Sequence, residues 1–155
     1  MSDKKTYMKI ALKEAEKALK KGEVPIGAVI VKNGEVLSRA HNLREKKKNS
    51  LCHAEVIAIE RACKKLGDWR LSDCEMYVTL EPCHMCLGAI IHSKIKTVYY
   101  GAYDKKWGAA FSVDEVWKNN NLPHKTECFG GIMEDECSEI IKEFFVKLRT
   151  EKTNN

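Results

Sequence analysis

Two short fragments of this 155-residue sequence carry residue types that can bind a metal and move protons: His53-Ala54-Glu55 and Glu81-Pro82-Cys83-His84-Met85-Cys86. Cys83 and Cys86 stand three apart, so in the first turn of a helix their sulfurs share one face and can grip one ion. The positive end of a helix dipole favours the thiolates that ligation needs. His53 would add a nitrogen from a second helix start. Three protein ligands leave the fourth tetrahedral position open, which marks a catalytic zinc rather than a structural one. Zinc so held brings the pKa of water down toward about 7. Glu55, two residues beyond His53, points elsewhere on its helix and need not ligate. It is placed to take a proton from that water and deliver it to a ring nitrogen and then to departing ammonia. Hydrolytic loss of an amine from an amidine-like ring carbon is the reaction this set suits.

Plainer readings of the same fragments fare worse. A lone C-x-x-C in a chain without an export signal could be a redox pair, but Pro82 precedes the first cysteine and no thioredoxin-like context surrounds it. A structural four-cysteine site would need a second C-x-x-C, which the sequence lacks. A zinc-binding interaction module without catalysis would have no use for Glu55. The remaining cysteines, Cys52, Cys63, Cys74, Cys128 and Cys137, lack partner spacing and are expected to be small buried hydrophobes. His84 stands between the two cysteine ligands, either at a pocket mouth or on the surface. His41, His92 and His124 carry no motif.

The elements that must position these residues follow from periodicity. Residues 7–21 show helical spacing of Ala and Leu and stop at Gly22. Strands are expected at 26–31 and 35–40, joined by the hairpin dipeptide Asn33-Gly34. Residues 43–50, with Lys46-Lys47-Lys48, read as an exposed loop. A helix over 53–66, ended by Gly67, would carry His53. A buried strand at 76–80 leads to a helix over 82–93 that opens on Pro82. A strand at 97–101, a short helix at 113–118 and a strand at 126–129 follow. The last helix, 134–149, would turn Cys137, Ile140, Ile141, Phe144 and Phe145 inward. Strands alternating with helices after a hairpin imply an α/β fold, a mixed sheet covered on both faces.

No repeat, linker or low-complexity tract divides the chain, so 1–155 is expected to be one domain, with 1–5 and 150–155 as disordered ends. Apolar residues make 44% and charged residues 32%, a mixture that can bury a core without disulfides. No apolar run approaches the roughly 20 residues of a membrane helix. Seven cysteines without an export signal favour free thiols, a metal site and a cytoplasmic setting. The net charge of +5 permits an anionic partner without demanding one.

The paired pattern H-x-E and P-C-x-x-C is the signature of zinc nucleobase deaminases. Along almost its whole length the chain further resembles the bacterial tRNA-specific adenosine deaminases, which make inosine at the anticodon wobble position. The likeness runs through Gly22-Glu23-Val24-Pro25-Ile26-Gly27-Ala28-Val29, His41-Asn42, Trp69-Arg70-Leu71, Tyr77-Val78-Thr79-Leu80, Gly88-Ala89-Ile90, Gly101-Ala102-Tyr103-Asp104 and Glu143-Phe144-Phe145. The resemblance implies a three-layer α/β/α cytidine-deaminase-like fold with a mixed five-stranded sheet, one zinc per chain, a homodimer, and a tRNA anticodon stem-loop whose target base is flipped out. It gives Asn42 a contact to base or ribose, and Ala54 and Cys83 backbone groups for the substrate. Val24 and Ile26 become pocket walls, Pro82 and Asp104 join the substrate site, and Phe145 and Arg149 meet the RNA. The chain departs from the family pattern at Asn49-Ser50-Leu51-Cys52, His84, Phe111, Pro123 and Val146. None of these alters the metal set or Glu55; several alter the surface for a stem-loop. The alternative substrate class is a free base or nucleoside of guanine or cytosine type, or another nucleic acid.

Overall fold

The computed structural model describes residues 2–154. Helix α1 spans Ser2–Lys20, and strands β1 (Gly27–Lys32) and β2 (Glu35–His41) form the hairpin. Asn33 and Gly34 both take positive φ, 50° and 79°, which the tight turn requires. Helix α2 (Ala54–Leu66), strand β3 (Cys74–Leu80), helix α3 (His84–His92) and strand β4 (Thr97–Ala102) follow. After a single 3₁₀ turn at Val116–Lys118 come strand β5 (Glu127–Phe129) and helix α4 (Glu134–Asn154).

The five strands form one mixed sheet in the order β2-β1-β3-β4-β5. β1 runs antiparallel to β2 and β3, while β3, β4 and β5 are parallel. Alternation along the strands sorts two cores. Ala28, Ile30, Met76, Val78 and Val98 pack with Ile57, Ala58, Leu87 and Ile90 of α2 and α3. Val29, Val31 and Tyr77 face the other way, toward Met8 and Ala11 of α1 and Cys137 of α4. The expected three-layer α/β/α cytidine-deaminase-like architecture is therefore observed. The register pairs Gly27 with His41 and Leu80 with Ala102. The start of β1 and the ends of β2, β3 and β4 thus lie at one end of the sheet, where open α/β sheets place their ligands.

Several boundaries differ from the sequence reading. α1 begins at Ser2 rather than residue 7: Asp3 sits favourably in its first turn, and Lys4 Nζ lies 4.8 Å over the Tyr99 ring. α4 continues through 150–154 because no Gly or Pro stops it and the Thr150 and Thr153 hydroxyls bond back to Val146 and Arg149 carbonyls. Of the expected disordered ends, 2–5 and 150–154 are helical, and Met1 and Asn155 lie outside the described residues. β3 begins two residues early, with Cys74 paired to Lys32. The helix expected at 113–118 shrinks to one turn, since the Val113 and Asp114 amides are drawn back to the Gly108 carbonyl. Phe145 is 42% exposed and leaves the inner stripe that Cys137 and Ile140 keep.

Candidate active site

His53 and Cys83 occupy equivalent places in the fold. Each is the N-cap residue of its helix, with extended backbone (φ −75°, ψ 153° and φ −77°, ψ 176°), and neither side chain caps the helix. Their carbonyls start the helices by accepting from Ile57 and Leu87. Both side chains are therefore free to point into the gap between the two helix starts. Cys86, one turn into α3, is fully buried and completes the group.

The ligand atoms of His53, Cys83 and Cys86 all lie within 4.8 Å of one another. His53 Nδ1 is 3.4 Å from Cys86 Sγ and 3.8 Å from Cys83 Sγ. A tetrahedral zinc with ordinary bond lengths has ligand–ligand edges of roughly 3.5–3.8 Å, so these three residues fit a zinc ion. Their protonation fits as well. A hydrogen bond from Cys86, joined by one from His53 that helps outweigh burial, brings the Cys83 thiol down to about 4. The same bond, then burial, holds Cys86 protonated, and the bond to Cys83 raises His53. A bound cation would take the place of the Cys86 proton and need His53 neutral.

Glu55 lies in the first turn of α2, 4% exposed. Burial, reinforced by the Cys83 thiolate, pushes its carboxyl up to about 7, with its backbone hydrogen bond pulling the other way. A carboxyl with this value exchanges protons readily near neutral pH.

The loops around the gap are pinned by two carboxylates that sequence reasoning missed. Glu23 accepts the amides of Glu45 and Lys46 at 2.9 and 2.7 Å, and the Leu43 amide bonds the Cys52 carbonyl, closing the 43–52 loop beside His53. Glu81, 2% exposed, accepts the amides of Asp104, Ala110, Phe111 and Ser112 and the Ser112 hydroxyl. Burial raises its carboxyl, but the Ser112 and backbone donors win and hold it below the ordinary range. The available signal was the small-residue run Gly108-Ala109-Ala110, which marks close backbone approach.

The other expected site residues divide. Ala54 and Pro82 are buried at the two helix starts, and Val24 and Ile26 are half-buried at the start of β1. Asn42, 4% exposed, donates to the Val24 carbonyl and accepts from the Arg44 amide, so much of its amide is spent on fixing this wall. The Asp104 carboxylate accepts the Lys106 and Trp107 amides and shapes its own turn. Phe145 and Arg149 are exposed on α4, in the layer opposite α2 and α3, and the structure does not bring them to the metal cluster. His84 is exposed and pairs with Asp114 at 3.0 Å. Cys74, Cys128 and Cys137 are buried as expected, whereas Cys52 and Cys63 are half-buried.

Comparison with known proteins agrees with this geometry. The MafB19-like deaminase family model matches residues 2–149. The tRNA-specific adenosine deaminase of Bacillus subtilis is 47% identical over 98% of this chain and 94% of its own length. A solved structure from work on A-to-I editing by tRNA deaminases at the wobble position superposes with a TM-score of 0.84 at 41% identity, covering 87% of this chain and 98% of that one. A guanine deaminase structure from Bacillus subtilis matches with a TM-score of 0.62 at 39% identity, over 72% of this chain and 71% of that one. With three side chains grouped so that they could hold a metal ion, the buried Glu55 and this likeness along the whole chain, the protein belongs to the tRNA-specific adenosine deaminase family.

Proposed function

We propose that this protein is a single-domain zinc-dependent hydrolase that converts adenosine to inosine at the wobble position of a tRNA anticodon loop. One observation carries the chemistry: a three-ligand cluster at the meeting of two helix starts with a buried, non-ligating Glu55 beside it. The 47% identity with the Bacillus subtilis tRNA-specific adenosine deaminase over 98% of the chain supports the substrate. His53, Cys83 and Cys86 would hold one zinc per chain, which supplies the Lewis acidity that makes water a nucleophile near neutral pH. Glu55 takes a proton from the attacking water and passes it to N1 of the purine. It then carries the second proton to the exocyclic amine, which leaves as ammonia, and the ring keeps the oxygen as a keto group. Ala54 and Cys83 offer backbone groups to the base, and Val24, Ile26 and Pro82 wall it in. Asn42 keeps one amide hydrogen for base or ribose, and Asp104 stands on the loop opposite.

The flipped base costs a few kcal/mol of lost stacking, offset by contacts along the flanking strand. Exposed Lys46, Lys47 and Lys48 beside the site, and Phe145, Lys147 and Arg149 on α4, are the groups assigned to this grip. The reading includes a homodimer and a cytoplasmic setting, which rest on family membership. Among the described residues no helix is long and apolar enough to cross a membrane.

A second reading, deamination of a free purine, is favoured by the likeness to the guanine deaminase. Incubation with an adenosine-bearing anticodon stem-loop, and separately with free adenosine, cytosine and guanine, distinguishes the two. The first reading expects inosine in the stem-loop, with binding that weakens steeply as salt rises. A free-base enzyme would be salt-insensitive and leave the stem-loop unmodified.

A further inference from the structure

Glu81 directly follows β3 and precedes Pro82 and Cys83, which lead into α3. Its carboxylate lies inside a ring of donors from one segment, the amides of Asp104, Ala110, Phe111 and Ser112 at 2.7–3.2 Å and the Ser112 hydroxyl. Gly108 lies against the same carboxylate so closely that a Cβ there would overlap it. Two backbone bonds run alongside: Ala109 N–H to the Pro82 carbonyl at 2.9 Å and Glu81 N–H to the Ala102 carbonyl at 2.9 Å. The 103–113 segment carries four exposed large hydrophobic side chains, Tyr103, Trp107, Phe111 and Val113, and has no helix or strand of its own. Rings at 61% and 62% exposure gain by collapsing onto the protein unless the backbone beneath them is fixed. The carboxylate fixes it.

We propose that Glu81 is a positioning residue for substrate: it holds the 103–113 loop in register with the start of α3, so that Asp104, Trp107 and Phe111 meet the strand flanking a base seated at His53, Cys83 and Cys86. The proposal rests on the nucleic-acid reading above. It assigns Glu81 to polynucleotide grip and not to proton transfer, since every acceptor position of the carboxylate faces the loop. Aromatic rings held outward beside a flipped base suit unpaired neighbouring bases, which stack without sequence preference.

The test is Glu81→Gln, which keeps the shape but turns one oxygen into a donor facing N–H groups. With the zinc-loaded enzyme and an anticodon stem-loop, KM should rise roughly tenfold or more while kcat moves far less, because charge-assisted bonds are lost only in the loop. Zinc content should stay native, and hydrogen exchange at the 104–112 amides should accelerate. Ser112→Ala, which removes one donor and introduces none, should shift KM the same way by less. It decides the matter if Glu81→Gln does not fold. A KM within twofold of wild type in both variants overturns the proposal, as does loss of zinc together with kcat at unchanged KM. If wild-type protein leaves the stem-loop unmodified, the substrate reading fails. Hydrogen exchange then still decides whether Glu81 holds the loop, and unchanged protection in both variants overturns it.

Discussion

Glu55→Gln in metal-stripped protein should make the fold more stable, and only at neutral to alkaline pH. The carboxyl is buried, and desolvation first of all raises it from its ordinary 4.5 to about 7. Below 4.5 the group is neutral in both the folded and the unfolded chain and contributes nothing to pH dependence. Between 4.5 and 7 the unfolded chain ionises while the folded chain holds its proton, so wild-type stability falls as pH rises. Above 7 the penalty is complete. The gap, at 1.36 kcal/mol per pH unit, bounds it at about 3 kcal/mol. Glutamine keeps the volume and never ionises, so the variant escapes the penalty. Urea unfolding of both apoproteins at pH 5 and pH 8.5 measures the effect. The variant's advantage should grow from small at pH 5 to about 1–3 kcal/mol at pH 8.5. An advantage that is absent, or equal at both pH values, would refute the claim that Glu55 sits desolvated beside the metal ligands.

Cys86→Ala should abolish tight zinc binding and activity together, because two ligands cannot close the site; elemental analysis and turnover on one sample check it. Gly101→Ala drives a Cβ into Cys137 Sγ and toward the Thr79 carbonyl at 2.9 Å. It should cost about 1–3 kcal/mol in urea unfolding with zinc affinity retained. The Glu14 carboxyl is raised by burial, but His41 and Lys17 outweigh this and hold it below the ordinary 4.5. Its stabilising effect is therefore full above that value and lost as pH falls through the folded one. Glu14→Gln should flatten the acid limb of a stability–pH profile below pH 4.5 and lower the plateau above it.

The chemistry was legible because it is written locally. The three-residue spacing of Cys83, at the N-cap, and Cys86, one turn on, brings their sulfurs together, and Glu55 stands two residues beyond the N-cap His53. Asn33-Gly34 gave the hairpin for the same reason, a turn demanding positive φ at adjacent positions. What stayed hidden depends on contacts distant in sequence. Nothing around Glu81 announces that its donors come from residues 104–112, or that Glu23 reaches Glu45 and Lys46. Asn42 and Asp104 had roles by resemblance, and their bonds to the backbone of their own loops show how each is held. Phe145 fitted the helical stripe, yet it is 42% exposed with its ring against Phe144, while Cys137 packs into the core. The ends of α1 and α4 were missed because polar residues without periodicity can extend a helix that is already nucleated.

The most direct test is a single-turnover comparison of wild-type and Glu55→Gln enzyme, both with measured zinc, on an anticodon stem-loop carrying adenosine at the wobble position. The account predicts one zinc per chain in both proteins, inosine at that nucleotide with wild type, and a rate lower on the order of 10² or more in the variant. Near-native rate in the variant, or zinc-loaded wild type that leaves the wobble adenosine untouched, would contradict it.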